Sequence, residues 1–114
     1  MYPAVLTVSS DGPAGTVQSS RMGIYKKEVN KEYNNRPVYQ LDRGGQFLFS
    51  DDVGKWMIGP QAGGSTGGVA TVKCGVITPP AAGWKYLDNG WKEDLQLRVS
   101  GEIIYWIQLL KQFH

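Results

Sequence analysis

The sequence predicts a mainly β domain: a small antiparallel meander, sandwich or open barrel of about six to eight short strands, with a short C-terminal helix. Three observations carry that expectation. Fifteen glycines and six prolines in 114 residues mark many turns, and so many short elements. Short runs rich in β-branched and aromatic residues recur at a spacing of about eight to ten residues. Several of those runs alternate apolar with polar residues, the period of a half-buried strand. The length suits one domain, since a domain takes about 100–200 residues.

The first run is Val5-Leu6-Thr7-Val8, ended by Ser9-Ser10-Asp11-Gly12-Pro13, and the polar stretch through Ser20 reads as a loop. Met22 to Lys27 is the second strand; Asn30 to Asn35, dense in asparagine and charge, reads as a loop or turn. Pro37-Val38-Tyr39-Gln40-Leu41 follows, then a turn at Asp42-Arg43-Gly44-Gly45. Gln46 to Ser50 and Lys55 to Gly59, joined by Asp51-Asp52-Val53-Gly54, make the best hairpin in the chain. Gly63 to Gly68 is a flexible connection into a strand over Val69–Ile77, and Thr78-Pro79-Pro80 opens an extended turn because residues before proline avoid the helical region.

A second hairpin pairs Trp84-Lys85-Tyr86-Leu87 with Trp91-Lys92 around Asp88-Asn89-Gly90, where Asn-Gly best tolerates positive φ. Leu95-Gln96-Leu97-Arg98-Val99 alternates strictly and is the last strand. After Gly101, Ile103, Trp106, Ile107 and Leu110 recur at helical spacing behind Ser100 as N-cap, so a short helix, or a strand fraying into one, is expected.

Composition narrows the function classes. The net charge of +2 is too small to argue for nucleic acid. Its only asymmetry lies between Arg21 and Arg43, where Arg21, Lys26, Lys27, Lys31, Arg36 and Arg43 outnumber Glu28, Glu32 and Asp42. Cys74 is the sole cysteine, so no disulfide forms within the chain; placed in an apolar run, it is expected to be a small buried hydrophobe, and the compartment stays open. Met1 to Leu6 lacks the basic and apolar regions of a signal peptide. The apolar run Ile103 to Leu110 is broken by Gln108 and falls short of the ~20 residues of a transmembrane helix, so no transmembrane segment is expected.

Leu6-Thr7-Val8-Ser9 is echoed by Leu97-Arg98-Val99-Ser100 near the other end. Between them stand Gly23-Ile24-Tyr25, Arg36-Pro37-Val38-Tyr39, Gly54-Lys55-Trp56-Met57-Ile58-Gly59, Thr78-Pro79-Pro80, Gly83-Trp84-Lys85-Tyr86 and Trp91-Lys92-Glu93-Asp94. In combination these resemble a small tryptophan- and glycine-rich β module found singly or in tandem in large extracellular or multi-domain proteins. The resemblance covers about Val5 to Ser100 and implies a modular, extracellular role with no established activity. It divides the chain into the module, residues 1–100, and an apolar tail, 101–114, that does not resemble the start of a further copy.

Chemistry is sparse. His114, the final residue, is the only histidine, so neither a Ser-His-Asp nor a Cys-His arrangement has a positioned base, and a zinc site lacks ligands. No catalytic residue, metal or cofactor is expected. The Gly63–Gly68 segment lacks the lysine of a phosphate-binding loop, Val69 standing in its place, although backbone amides around Ser65 and Thr66 could form an anion nest. The remaining route to hydrolysis is a carboxylate pair, Asp52 with Glu93, brought together by folding.

The aromatics are the strongest feature. Trp56 and Trp84 are expected in the core, while Trp91, beside a tight turn, is expected to be partly exposed. The leading reading is a non-enzymatic recognition or structural module for a protein or glycan ligand, its surface built from Tyr86, Trp91, Ser65 and Thr66. The rival readings are a membrane-peripheral or self-associating protein acting through residues 103–113, and the carboxylate hydrolase.

Overall fold

Alternating runs separated by glycine and asparagine turns leave the backbone one way to satisfy itself, pairing each strand with the next. A computed structural model describes residues 2–102. The strands are β1 (Val5–Ser10), β2 (Gly23–Tyr33), β3 (Arg36–Leu41), β4 (Phe47–Ser50), β5 (Trp56–Gly59), β6 (Val69–Thr71), β7 (Trp84–Leu87), β8 (Trp91–Glu93) and β9 (Leu97–Glu102). All neighbouring pairs are antiparallel. They form one sheet, curled into a half-barrel, with the order β8-β7-β6-β5-β4-β3-β2-β1-β9. Strands β1 to β8 are an unbroken meander, and β9 returns to pair with β1 through Val8 opposite Val99. The echoing Leu-x-Val-Ser segments are therefore sheet neighbours.

The curl gives the sheet an inner and an outer face. Leu48 lies opposite Ile58, Ile58 opposite Val69 and Val69 opposite Tyr86, a single row of inward side chains, every one buried. Ser50 lies opposite Trp56 and Thr71 opposite Trp84 in the next inward row. Leu6, Val8, Ala14, Tyr25, Tyr39, Leu41, Leu97 and Val99 complete the core. The polar tips of four buried rings donate to backbone carbonyls. Trp56 Nε1 reaches Val76 O at 2.9 Å, Trp84 Nε1 reaches Pro80 O at 2.8 Å, and the Tyr25 and Tyr39 hydroxyls reach Arg21 O and Pro3 O, each at 2.7 Å. Burial pushes both tyrosine hydroxyls well above their ordinary pKa, which keeps them protonated as donors. Val38, Phe49 and Ala70 are buried outside that core cluster, and the Tyr33 ring stands edge-on to Phe49 at 6.1 Å.

Several elements differ from the sequence expectation. The stretch from Ser9 to Ser20 is not all loop: after β1 ends at Ser10 it holds a one-turn helix α1 (Ala14–Val17), then a 3₁₀ turn over Ser19–Arg21. Ala14 is fully buried in the core, which supplies tertiary contacts that a polar local sequence does not announce. Strand β2 runs on through the expected loop at Asn30 to Tyr33. Its pairing shifts from Lys27–Tyr39 to Glu32–Pro37 through a bulge that contains Asn30 at φ 56°. The turn itself is only Asn34-Asn35, both left-handed at φ 55° and 62°, the backbone of a two-residue hairpin loop.

The strand expected over Val69–Ile77 stops at Thr71, whose hydroxyl accepts from Trp56 N and donates to Lys73 O. Cys74 consequently lies in a loop and is exposed, not buried. Leu95 is not in the last strand, because a turn in which Leu97 N donates to Asp94 O delays β9 to Leu97. The helix expected from Ile103 lies outside the described residues. Among the described residues, no helix is long and apolar enough to cross a membrane.

Gly54 shows how tightly the β4–β5 turn is built in. It has φ +83°, and a Cβ there would stand 2.7 Å from the backbone nitrogen of Gly75. Gly54→Ala is expected to cost about 2 kcal/mol, from left-handed strain plus backbone displacement, read as a lower midpoint in urea at unchanged slope.

Candidate functional site

Two segments face each other where β6 leaves the sheet and β9 begins. The 72–83 connection leaves β6 after Thr71 and returns at β7. It is held at both ends and in the middle: Val72 N donates to Gly83 O (2.8 Å), Trp84 and Trp56 donate to its carbonyls as above, and the Tyr2 hydroxyl donates to Ile77 O (3.2 Å). Gly54 O accepts from Val76 N (3.3 Å), and Ala81 O accepts from Val99 N (3.1 Å). A proline-rich connection that supplies little regular structure is thus fixed by its surroundings.

Facing it is the turn from β8 into β9, organised by Asp94. Asp94 is buried, and its carboxylate takes three hydrogen bonds: Ser10 Oγ (2.7 Å) and Ala14 N (3.0 Å) on Oδ2, and Gln96 N (2.9 Å) on Oδ1. Burial alone would raise its pKa. The Ser10, Gln96 and Ala14 donors, with the Arg98 charge, outweigh that and hold the carboxyl below its ordinary value. Gly12 is required beside it, since a Cβ there would fall 2.4 Å from Asp94 Oδ1. Strands β8 and β9 are the two edges of the sheet, so this turn and its carboxylate join those edges without a ladder between them.

Between connection and turn lies a groove of about 700 Å³. Trp84, only 1% exposed, borders it, and its walls are mostly apolar: Val72, Val76, Pro80, Ala82 and Leu95. Lys73, Glu93 and Arg98 also line it. Leu95 is 81% exposed and Val72 40% exposed, so apolar surface faces solvent on both walls. Arg98 Nη1 donates to Leu95 O and to Leu97 O (3.1 Å), which ties its guanidinium to the turn. With walls held by hydrogen bonds, the groove needs little ordering before a ligand enters.

The residues expected from sequence to form a surface do not come together. Tyr86 is 5% exposed, in the inward row with Val69, and offers no ring to a ligand. Trp91 is 42% exposed, and its cross-strand partner is Leu87, on the outer face of the same hairpin. The Lys85 ammonium stands 5.3 Å from the Trp91 ring centre. Ser65 and Thr66 are exposed in the β5–β6 connection, whose Thr66 carbonyl packs over Gly59. Asp52, in the β4–β5 turn, and Glu93, on β8, are both exposed, with β6 and β7 between β5 and β8. The groove contains Glu93 without Asp52. Among the described residues, no three His, Cys, Asp or Glu side chains gather in a group that could hold a metal ion.

Comparison with known proteins finds no matching family model, curated protein or solved structure.

The sequence did contain one usable signal. Trp84 and Tyr86 are two residues apart on one strand and must share a face, so a buried Trp84 carries Tyr86 inward with it. For the groove no local signal existed: Val72 and Val76 read as strand residues, and Leu95 as one of an alternating core set.

Proposed function

We propose that the protein is a non-enzymatic recognition module whose groove receives an apolar side chain of a protein partner. The observation that carries this reading is the pairing of apolar groove walls, open to solvent at Leu95 and Val72, with a hydrogen-bonded frame that holds them apart. Apolar pockets of about 300–1,000 Å³ with few polar groups are common ligand sites, and buried apolar anchors dominate protein interfaces. A protein anchor suits it better than a sugar, because the Trp84 ring is covered and its Nε1 is already bonded to Pro80 O. The two carboxylates in the groove favour recognition over hydrolysis: Asp94 is committed to three hydrogen bonds, leaving Glu93 without a second free acid.

The test is selection of peptides from a displayed random library on the full chain, followed by affinity measurement on Leu95→Asp. Leu95 is so exposed that the substitution should leave the melting temperature within about 2 °C. Selected peptides are expected to share an aliphatic or aromatic anchor and to lose about tenfold or more in affinity on the variant. Binding that ignores Leu95→Asp and disappears with Trp91→Ala would move the site to the outer face of the β7–β8 hairpin. Absence of any selected peptide would end the reading.

A further inference from the structure

The chain treats the two edges of its sheet differently. In β9, three backbone groups that point away from β1 are met from within: Leu97 N donates to Asp94 O (3.1 Å), Val99 N donates to Ala81 O (3.1 Å), and Leu97 O accepts from Arg98 Nη1 (3.1 Å). At the other edge stands β8, Trp91-Lys92-Glu93, with all three residues exposed and a strand on one side only.

The ladder determines which groups of β8 face outward. Val72 N donates to Gly83 O and Leu87 N to Gly68 O, both at 2.8 Å, so the backbone groups of Gly83, Lys85 and Leu87 face β6. Those of Tyr86 face β8, where Tyr86 lies opposite Lys92. Lys92 therefore directs its N–H and C=O to β7, and Trp91 and Glu93 on either side of it turn theirs away from the sheet. Those two N–H and two C=O groups have no partner among the described residues.

Outward donors and acceptors in this alternation are what an added strand takes up; its main-chain hydrogen bonds supply affinity, and pockets for its side chains supply specificity. A pocket stands at the end of this edge. Glu93, the last residue of β8, lines the groove together with Asp94 and Leu95, the next two residues of the chain. At the start of the edge is the exposed Trp91 ring, beside which a side chain of an added strand would pack. A helix laid in the groove would satisfy none of the four backbone groups, because its own are bonded internally. Taking the groove as the ligand site proposed above, we infer that its partner is an extended segment of another protein. That segment adds to β8 as a further strand, exchanges hydrogen bonds with Trp91 and Glu93, and places an apolar side chain in the groove.

The test takes a peptide selected on the full chain and resynthesises it with one N-methyl group at each position in turn, which removes a single N–H and keeps every side chain. Affinity is expected to fall about tenfold at two positions two residues apart, those opposite Trp91 and Glu93, and less elsewhere. On the protein, Glu93→Pro removes one outward N–H and no ladder bond. It is expected to bind the peptide about tenfold more weakly than Glu93→Ala, which loses the same side chain and keeps the N–H. Thermal denaturation checks that both variants fold, and if Glu93→Pro does not, the N-methyl series on the natural chain decides alone. A peptide that loses affinity on Leu95→Asp but accepts an N-methyl group at every position overturns the added strand and leaves the groove reading standing. Alternate sensitivity with indifference to Leu95→Asp supports the added strand and overturns the groove as its anchor site. A dimer of the chain in sedimentation, abolished by Glu93→Pro, would show the edge paired with a second copy and overturn a foreign partner.

Discussion

Trp56→Ala is expected to lower stability by about 3–5 kcal/mol, a fall in melting temperature on the order of 20 °C for a domain of this size. Trp56 is fully buried between the Ser50 and Thr71 strands, and the Tyr2 ring meets it edge-on at 6.4 Å. Removing the indole leaves a cavity in the core and strips Val76 O of its donor at 2.9 Å. That carbonyl belongs to the connection that walls the groove, so the variant should also lose the affinity of any peptide selected there. Trp56→Phe separates the two effects: it refills much of the volume while leaving Val76 O unpaired. Trp91→Ala is the control, since a ring 42% exposed on an edge strand is expected to cost about 1 kcal/mol or less. Thermal denaturation followed by circular dichroism measures all three. Equal losses for Trp56→Ala and Trp91→Ala would contradict the assignment of inner and outer faces.

The second large effect is expected at Asp94. Asp94→Asn should destabilise the fold by about 3 kcal/mol, because charged hydrogen bonds in buried settings contribute about 1.5–3 kcal/mol each and are only partly additive. The amide cannot substitute. With its oxygen toward Ser10 Oγ and Ala14 N, its NH₂ faces the Gln96 N–H; turned over, it faces the Ala14 N–H. The pH dependence follows from the lowered pKa of Asp94. A carboxyl that ionises more readily folded than unfolded contributes its full stability above the ordinary value of 3.8, and loses it as pH falls through the lower folded value. The stability gap between the natural chain and Asp94→Asn should therefore be constant from neutral pH down to about 5 and shrink below about 4. Urea denaturation at a series of pH values measures the gap. A gap that widens in acid would mean that the carboxylate is not stabilised by folding.

The strand run was largely legible in the sequence, and the reasons are local. Asn89-Gly90 takes positive φ at both residues, 53° and 112°, and joins the strands that the alternation indicated. The Phe47–Ser50 and Trp56–Gly59 strands likewise form the hairpin expected around Asp51-Asp52-Val53-Gly54. What failed depended on contacts between distant residues. Glu93 and Asp94 are an indistinguishable acidic pair on paper, and only the approach of Ser10 and Ala14, 84 and 80 residues away in sequence, makes the second a buried acceptor. Leu95, Leu97 and Val99 share one period, yet the turn at Asp94 excludes the first from the strand and leaves it 81% exposed. Placing Tyr86 at the surface set aside the strand period that buries it with Trp84. The groove was invisible because its two walls are non-adjacent segments that the curl of the sheet brings together.

The strand order carries a consequence for how the chain acquires this shape. Seven of the eight pairings join consecutive strands, which come together across short turns or modest connections. The eighth, β1 with β9, brings Val8 to Val99 and closes a loop of nearly the whole domain. Loop-closure entropy must be overcome before so distant a pairing gains anything, and such non-local pairings slow folding. The Asp94 hydrogen bonds to Ser10 and Ala14 span the same separation and can form only with that closure. The groove, with Leu95 on one wall and the 72–83 connection on the other, thus depends on the pairing most distant in sequence, whereas the meander depends on near neighbours.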